Sequence, residues 1–327
     1  MPMASTRLKN IATHIPPPAV EAPEKALPAY DELPIDVVQR AVAEEVRTGQ
    51  TVSLNWPINF PAKPMFKRKT PEVRMIIKRE NGMPRDDEIN INSQSGSQWD
   101  GMRHYGIIEH GVFYNNTDAL SLTEGIVPIP DPNTIDPNLS KIGIQNWASH
   151  GICGRGVLLD LVGYHTENGG ELPYDPWKTH AISVSDLLKV ADHQRVQFRH
   201  GDILLLRVGF IQKYNRVTSA ERDALQGRPE TFAGIEQGEE MKRFLWNNHF
   251  AAIASDQPAL ERWPAPPGTL LHQTILGLWG MPLGEFFDLE KLSQTCAETG
   301  RYTFFFTSWP LHIIGGCASP PNAAAYF

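Results

Sequence analysis

The sequence predicts a mixed α/β fold built on one large core, and three observations carry that expectation. Short strand-like apolar runs recur along the chain, the most apolar being Ile203 to Leu206, launched by a Gly201-Asp202 turn. Helical stripes stand between them, as in residues 35–48, where Ile35, Val37, Val38, Ala41, Val42 and Val46 mark one face. The chain has 327 residues, 41% hydrophobic and 20% charged, which is large for one domain and small for two. The expected organisation is a proline-rich arm over residues 1–30, where Pro16-Pro17-Pro18 breaks any amphipathic helix, and a single domain over 31–327.

After the helix at 35–48, strands are predicted at Thr51 to Leu54, Val73 to Lys78 and Ile89 to Gln98. The Pro-, Asp- and Asn-rich stretch between Asn115 and Lys141 reads as a long loop: a lid, a dimer arm or a surface excursion. Strands resume at Arg155 to Leu161. A helix follows from Ser183 to Asp192, with Ser185-Asp186 opening its apolar run, and further helices cover 218–226 and 236–247. Ile253 centres a short strand. Thr269 is expected to cap a helix carrying His272 in its first turn, and Asp288 to cap Leu289 to Ala297. Tyr302 to Thr307 reads as the final core strand.

Composition excludes several function classes. A formal net charge of -7 and a pI near 5.9 argue against nucleic acid or an anionic membrane surface as the main partner. Cys153, Cys296 and Cys317 are scattered, with no Cys-x-x-Cys, so a reducing compartment and three buried small hydrophobes are expected. No apolar run reaches membrane-spanning length and the N-terminus lacks a signal-peptide core, which together predict a cytoplasmic protein. Walker and Gly-x-Gly-x-x-Gly loops are absent, which argues against nucleotide binding.

The richest stretch is Gln94-Ser-Gly-Ser-Gln98-Trp-Asp100-Gly-Met-Arg-His104. Taken as extended, Asn90 to Asp100 puts Asn90, Asn92, Gln94, Gln98 and Asp100 on one face and Ile89, Ile91 and Trp99 on the other. Gly96 leaves the polar face open, and Gly101 permits a turn that returns His104. That face looks into water, a polar cavity or a bound ion. The plain alternative is an edge strand with a solvated face and a surface histidine.

From Leu54 onward the chain resembles the cyclase superfamily of metal-dependent hydrolases, which includes kynurenine formamidase, isatin hydrolase and trans-dienelactone hydrolase. The family signature His-x-Gly-Thr-His-x-Asp-x-x-x-His corresponds to Gln94 through His104, with glutamine at both leading histidines. The form Gln-Trp-Asp-Gly-x-x-His, followed by Phe113-Tyr114-Asn115-Asn116, is similar to a divergent branch of that family. Gly154-Arg155-Gly156-Val157-Leu158-Leu159-Asp160, the Gly201 to Phe210 segment, Asp256-Gln257-Pro258, and His272 with Glu285 resemble further family segments in order.

The resemblance implies a cyclase-type swivelling β/β/α fold, with a mixed central sheet or barrel flanked by helices, in a homodimer or larger homo-oligomer. It implies that Gln94, Gln98 and Asp100 face one divalent-ion position and that Asp100, His272 and Glu285 face a second, with Asp100 able to bridge. One or two ions, Mn2+ or Zn2+, are expected; neutral amide oxygens weaken zinc affinity and favour manganese, or leave the first position empty. His104 is the expected general acid and base, acting with Asp100, or else only orients that carboxylate.

Trp56, Trp99, Tyr114 and Phe210 are candidates for substrate contact, though each equally suits a core. Arg207 could pair with a substrate carboxylate or serve a structural ion pair. The implied activity is hydrolysis of an amide, lactam, lactone or N-formyl bond in a small cyclic or aromatic molecule. Alternatives are a metal-assisted cyclase or dehydratase and a metal-free ligand-binding homologue.

Overall fold

The computed structural model describes residues 35–129, 131 and 133–327, so the arm expected over 1–30 lies outside the described residues. A curled nine-stranded sheet organises the chain. Ile152–Asp160, Ile203–Arg207, Ala252–Ser255 and Leu283–Glu285 run parallel, side by side. Thr303–Ser308, Ala323–Tyr326 and Thr51–Ser53 extend the sheet on one side, Gln98–Asp100 and Ala318–Ser319 on the other, all antiparallel. Parallel strands are covered on both faces, and every residue of Ile203–Arg207 is buried accordingly.

Helices cover the sheet by their apolar stripes. Val184–His193 buries Val184, Leu187, Val190 and Ala191, and Glu239–Asn247 buries Met241, Phe244 and Leu245. The first of these starts where the sequence predicts, capped by Ser183 through a reciprocal capping box with Asp186.

Several expectations need correction. The predicted strand from Ile89 to Gln98 is split, because Arg85–Asn90 closes a hairpin with Glu72–Ile77 and a turn intervenes before Gln98–Asp100. That hairpin is a two-stranded ribbon apart from the main sheet, so Ile89, expected to be buried, is 54% exposed, alongside Met75 and Ile77. Tyr302 to Thr307 is not the last core strand. Ala323–Tyr326 inserts between Thr303–Ser308 and Thr51–Ser53, and its alanine run carries little strand signal. Asp288 accepts from the Glu290 N–H, and the helix begins there, at Glu290–Thr299. Of the cysteines only Cys296 is buried; Cys153 is half-buried and Cys317 exposed.

The long stretch after Asn115 is largely exposed, including Leu120 and Ile126, but its end is fastened. The buried Arg103 guanidinium donates to the carbonyls of Asn138, Leu139, Lys141 and Gly315. Among the described residues, no helix is long and apolar enough to cross a membrane.

Candidate metal centre

Strand register begins the assembly of the site. Antiparallel pairing sets Gln98 opposite Glu285 and Trp99 opposite Gly284, so Gln98 and Glu285 share a face. A Cβ at Gly284 would lie 2.6 Å from the Ala254 Cβ and 3.0 Å from the Trp99 ring, which is why glycine is required for the strands to close there. The Gln98 Nε2 donates to Glu285 Oε2 at 2.7 Å and Gln94 Oε1 at 2.9 Å, and lies 3.3 Å from Asp100 Oδ1.

Gln94 reaches this cluster by a turn and not by strand alternation. Asn92 Oδ1 accepts the Gln94 N–H at 2.9 Å, and the Asn92 carbonyl accepts the Ser95 N–H. Asn90 is exposed and takes no part. Gly96 does not open the polar face: a Cβ there would stand 2.6 Å from the Phe60 carbonyl oxygen, so it allows a close backbone approach.

His272 precedes a π-helical segment, Gln273–Leu278, a widened form often found at functional sites. Thr269 does not cap it, since its hydroxyl donates to the Pro266 carbonyl. The buried Glu261 carboxylate does the work instead, accepting the Leu271 N–H at 2.5 Å and lying 2.6 Å from His272 Nδ1. With Nδ1 turned to Glu261, Nε2 faces Glu285 Oε1 at 3.2 Å and Asp100 Oδ2 at 3.4 Å. His104 Nε2 stands 3.8 Å from the same Asp100 oxygen.

The electrostatics follow from this crowding. Burial pulls His272 down, but the surrounding carboxylates of Asp100, Glu261 and Glu285 outweigh it and hold its pKa well above the ordinary histidine range. Burial raises Asp100, yet His104 and His272 leave it below the usual carboxylate range. Glu285 is raised, by burial and then by the Asp100 charge. Burial lowers His104, against the pull of Asp100.

Asp100 Oδ2 is buried without a hydrogen-bond partner. Asp100, His104 and His272 offer ligand atoms all within 4.8 Å of one another. An orphaned carboxylate oxygen, imidazole nitrogens and the adjoining Glu285 form a donor set suited to a divalent first-row ion. The residues therefore fit a metal. Glu261 matches the carboxylate that commonly stands behind a ligating histidine. Glu261→Gln is expected to weaken ion affinity about 10- to 100-fold, read by competition with a chromophoric chelator.

The structure brings Gln94, Gln98, Asp100, His104, His272 and Glu285 together, and moves other predicted site residues away. Trp99 points to the opposite face, fully buried against Phe287 and Phe306, with Nε1 donating to Ser308 Oγ at 2.8 Å. It is a core residue, and Trp99→Ala is expected to lower stability by about 3–5 kcal/mol in urea unfolding. Phe210 is likewise fully buried, packed with Tyr214, Phe232 and Phe286. Arg207 is locked by Asp160 Oδ1 at 2.9 Å and by Glu290 at 2.7 and 3.0 Å, so it is not free for a substrate carboxylate.

Trp56 is buried beside the ligand turn, its backbone N–H donating to Ser97 Oγ and its ring against Phe60, Tyr214 and Phe286. Half-buried Tyr114 packs close to Gly280, near the π-helical segment. Three neighbours were not legible. Glu261 is a lone carboxylate with no motif spacing. Tyr105, whose ring lies 5.6 Å from His272, is hidden by the histidine before it. Arg68 donates to the Gln94 carbonyl at 2.7 Å and lies over the Phe66 ring at 4.9 Å.

Residues 46–262 match the family described as Putative cyclase, and the chain belongs to that family. A crystal structure of a novel cyclase is similar at 27% identity and TM-score 0.74, covering 91% of this chain and 95% of its own. Isatin hydrolase A from Labrenzia aggregata shares the fold at 14% identity and TM-score 0.54, over 89% of this chain and 97% of its own. So does an isatin hydrolase bound to the product analogue thioisatinate, at 12% identity and TM-score 0.56, over 88% and 94%. None of the curated proteins compared matches the chain.

Proposed function

We propose that this chain is a metal-dependent hydrolase opening an amide, lactam, lactone or N-formyl bond of a small cyclic or aromatic substrate. The observation that carries the reading is the buried Asp100 Oδ2, unpartnered and facing His272 Nε2, whose far nitrogen is held by Glu261. Asp100, His272 and Glu285 would hold the ion, manganese or zinc, which when bound supplies an activated water and polarises the scissile carbonyl.

The remaining steps belong to side chains. His104, kept neutral near pH 7 by burial, takes a proton at Nε2 from the attacking water and returns it to the departing nitrogen or oxygen. Asp100, 3.8 Å away, stabilises the imidazolium formed in between. Arg68, half-buried beside Gln94 and near enough for its charge to favour ionised Asp100, would meet the carboxylate that ring opening creates. The reading includes a cytoplasmic location and a homodimer or larger assembly, and the assembly alone is supported by the exposed apolar residues Met75, Ile77 and Ile89 of the hairpin.

The test is turnover of N-formyl arylamines, isatin-type lactams and aryl lactones by manganese- or zinc-loaded protein, alongside His104→Gln. Hydrolysis of at least one class, cut about 100- to 10,000-fold in His104→Gln with ion content retained, is the expected result. No turnover of any class by the parent protein would sink the reading. The close grouping of Asp100, His104 and His272 favours a second arrangement, with His104 itself a ligand. In that case His104→Gln loses the ion together with activity.

A further inference from the structure

Three oxygens converge on a single point in the candidate centre, and a side-chain nitrogen already sits there. Glu285 Oε2, Gln94 Oε1 and Asp100 Oδ1 lie 2.7, 2.9 and 3.3 Å from Gln98 Nε2. Two carboxylate oxygens and an amide oxygen around one point are what a cation would seek. A primary amide nitrogen meets the same need differently. Its two hydrogens donate, its lone pair is delocalised into the carbonyl, and it cannot ligate a metal.

We infer that the Gln98 amide permanently occupies one of two adjoining cation positions, so that this chain binds a single catalytic ion on the Asp100 Oδ2, His272 and Glu285 Oε1 side. The inference rests on the metal-dependent reading above. The two shared carboxylates are divided between the two sides. Asp100 gives Oδ1 to Gln98 and keeps Oδ2 unpartnered 3.4 Å from His272 Nε2. Glu285 gives Oε2 to Gln98 and presents Oε1 to His272 and to the Leu260 N–H.

Gln98 Oε1 is buried without a hydrogen-bond partner in this orientation, but the reverse orientation is disfavoured more strongly by the same distances. It would set Gln98 Oε1 against three oxygens, a repulsion that only a bound cation could relieve. Gln98 is fully buried at the start of the strand Gln98–Asp100, its backbone paired with Glu285, so the backbone holds the side chain at the cluster. The amide thus fixes Asp100 and Glu285 in place without adding charge, and the oxygens that would hold an ion with His272 keep a neutral neighbour.

The experiment measures manganese by plasma mass spectrometry and electron paramagnetic resonance on the full-length protein, after saturation with the ion and removal of the excess. The parent is expected to hold about one equivalent with an uncoupled six-line spectrum; two equivalents with a spin-coupled spectrum overturn the inference. No bound manganese, and none with zinc in its place, overturns the metal reading itself.

Two variants locate the ion. Gln98→Met removes the amide without supplying a ligand oxygen, and retention of the single ion is expected, whereas its loss places the ion on the Gln98 side and overturns the inference. Gln94→His with Gln98→His is expected to admit a second, coupled ion. A folded double variant that stays at one equivalent overturns the claim that the amide is what closes the position. Should either variant fail to fold, the parent stoichiometry decides.

Discussion

His272→Ala is expected to strip the protein of its ion and to abolish hydrolysis, while leaving a folded chain. The imidazole is a ligand in both arrangements proposed, and its Nε2 faces both Glu285 Oε1 and Asp100 Oδ2 at 3.2 and 3.4 Å. Its removal leaves three carboxylates, Asp100, Glu261 and Glu285, without the positive partner or the ion that balances them. The buried acids then retain protons, as desolvation demands. Loss of the ligand removes both the activated water and the polarised carbonyl, so residual activity should fall below about one part in 10,000. Metal content and turnover measured on the same preparation check the result, with circular dichroism for the fold. Full activity with the ion retained would move the centre elsewhere.

Arg207→Ala should act on stability and not on chemistry. The guanidinium bridges buried Asp160 and the first turn of the helix Glu290–Thr299, bidentate to Glu290. Although burial disfavours its charge, these carboxylates together raise its pKa. Deleting the cation leaves Asp160 buried and unbalanced, a change that typically lowers stability by about 3–5 kcal/mol. Chemical denaturation should show that loss, while the protein that remains folded keeps its ion and its substrate affinity. A large rise in KM at unchanged stability would restore Arg207 as a substrate-binding residue.

The contrast between these residues shows what the sequence discloses. Asp100, His104, His272 and Glu285 were legible because polar, ligand-type side chains stand in segments that resemble known family segments in the same order. The strand Ile203–Arg207 was legible because burial on both faces writes a continuous apolar run. Arg207 was ambiguous since a buried ion pair and a substrate anchor call for the same residue. Glu261 was invisible: its partner lies 11 residues on, around a bend that no periodicity records. The turn over Ser93 to Ser97 carries a strand pattern in the sequence because alternating polar residues satisfy a period of two whether or not the backbone is extended. The alanine strand Ala323–Tyr326 owes its place to pairing with two neighbours, and local propensity does not report that.

The strand Gln98–Asp100 has a further consequence, for the order in which the molecule is made. Its Gln98 contact with Glu285 spans 187 positions, and its Trp99 contact with Ser308 spans 209. Emerging early in synthesis, the strand waits for nearly the whole chain before either partner exists. Contacts this distant close slowly, since the entropy of a large loop is lost before any pairing rewards it. The side chains of the candidate centre are therefore expected to meet among the last, and a chain truncated before Glu285 would keep its most recognisable motif without the partners that surround it.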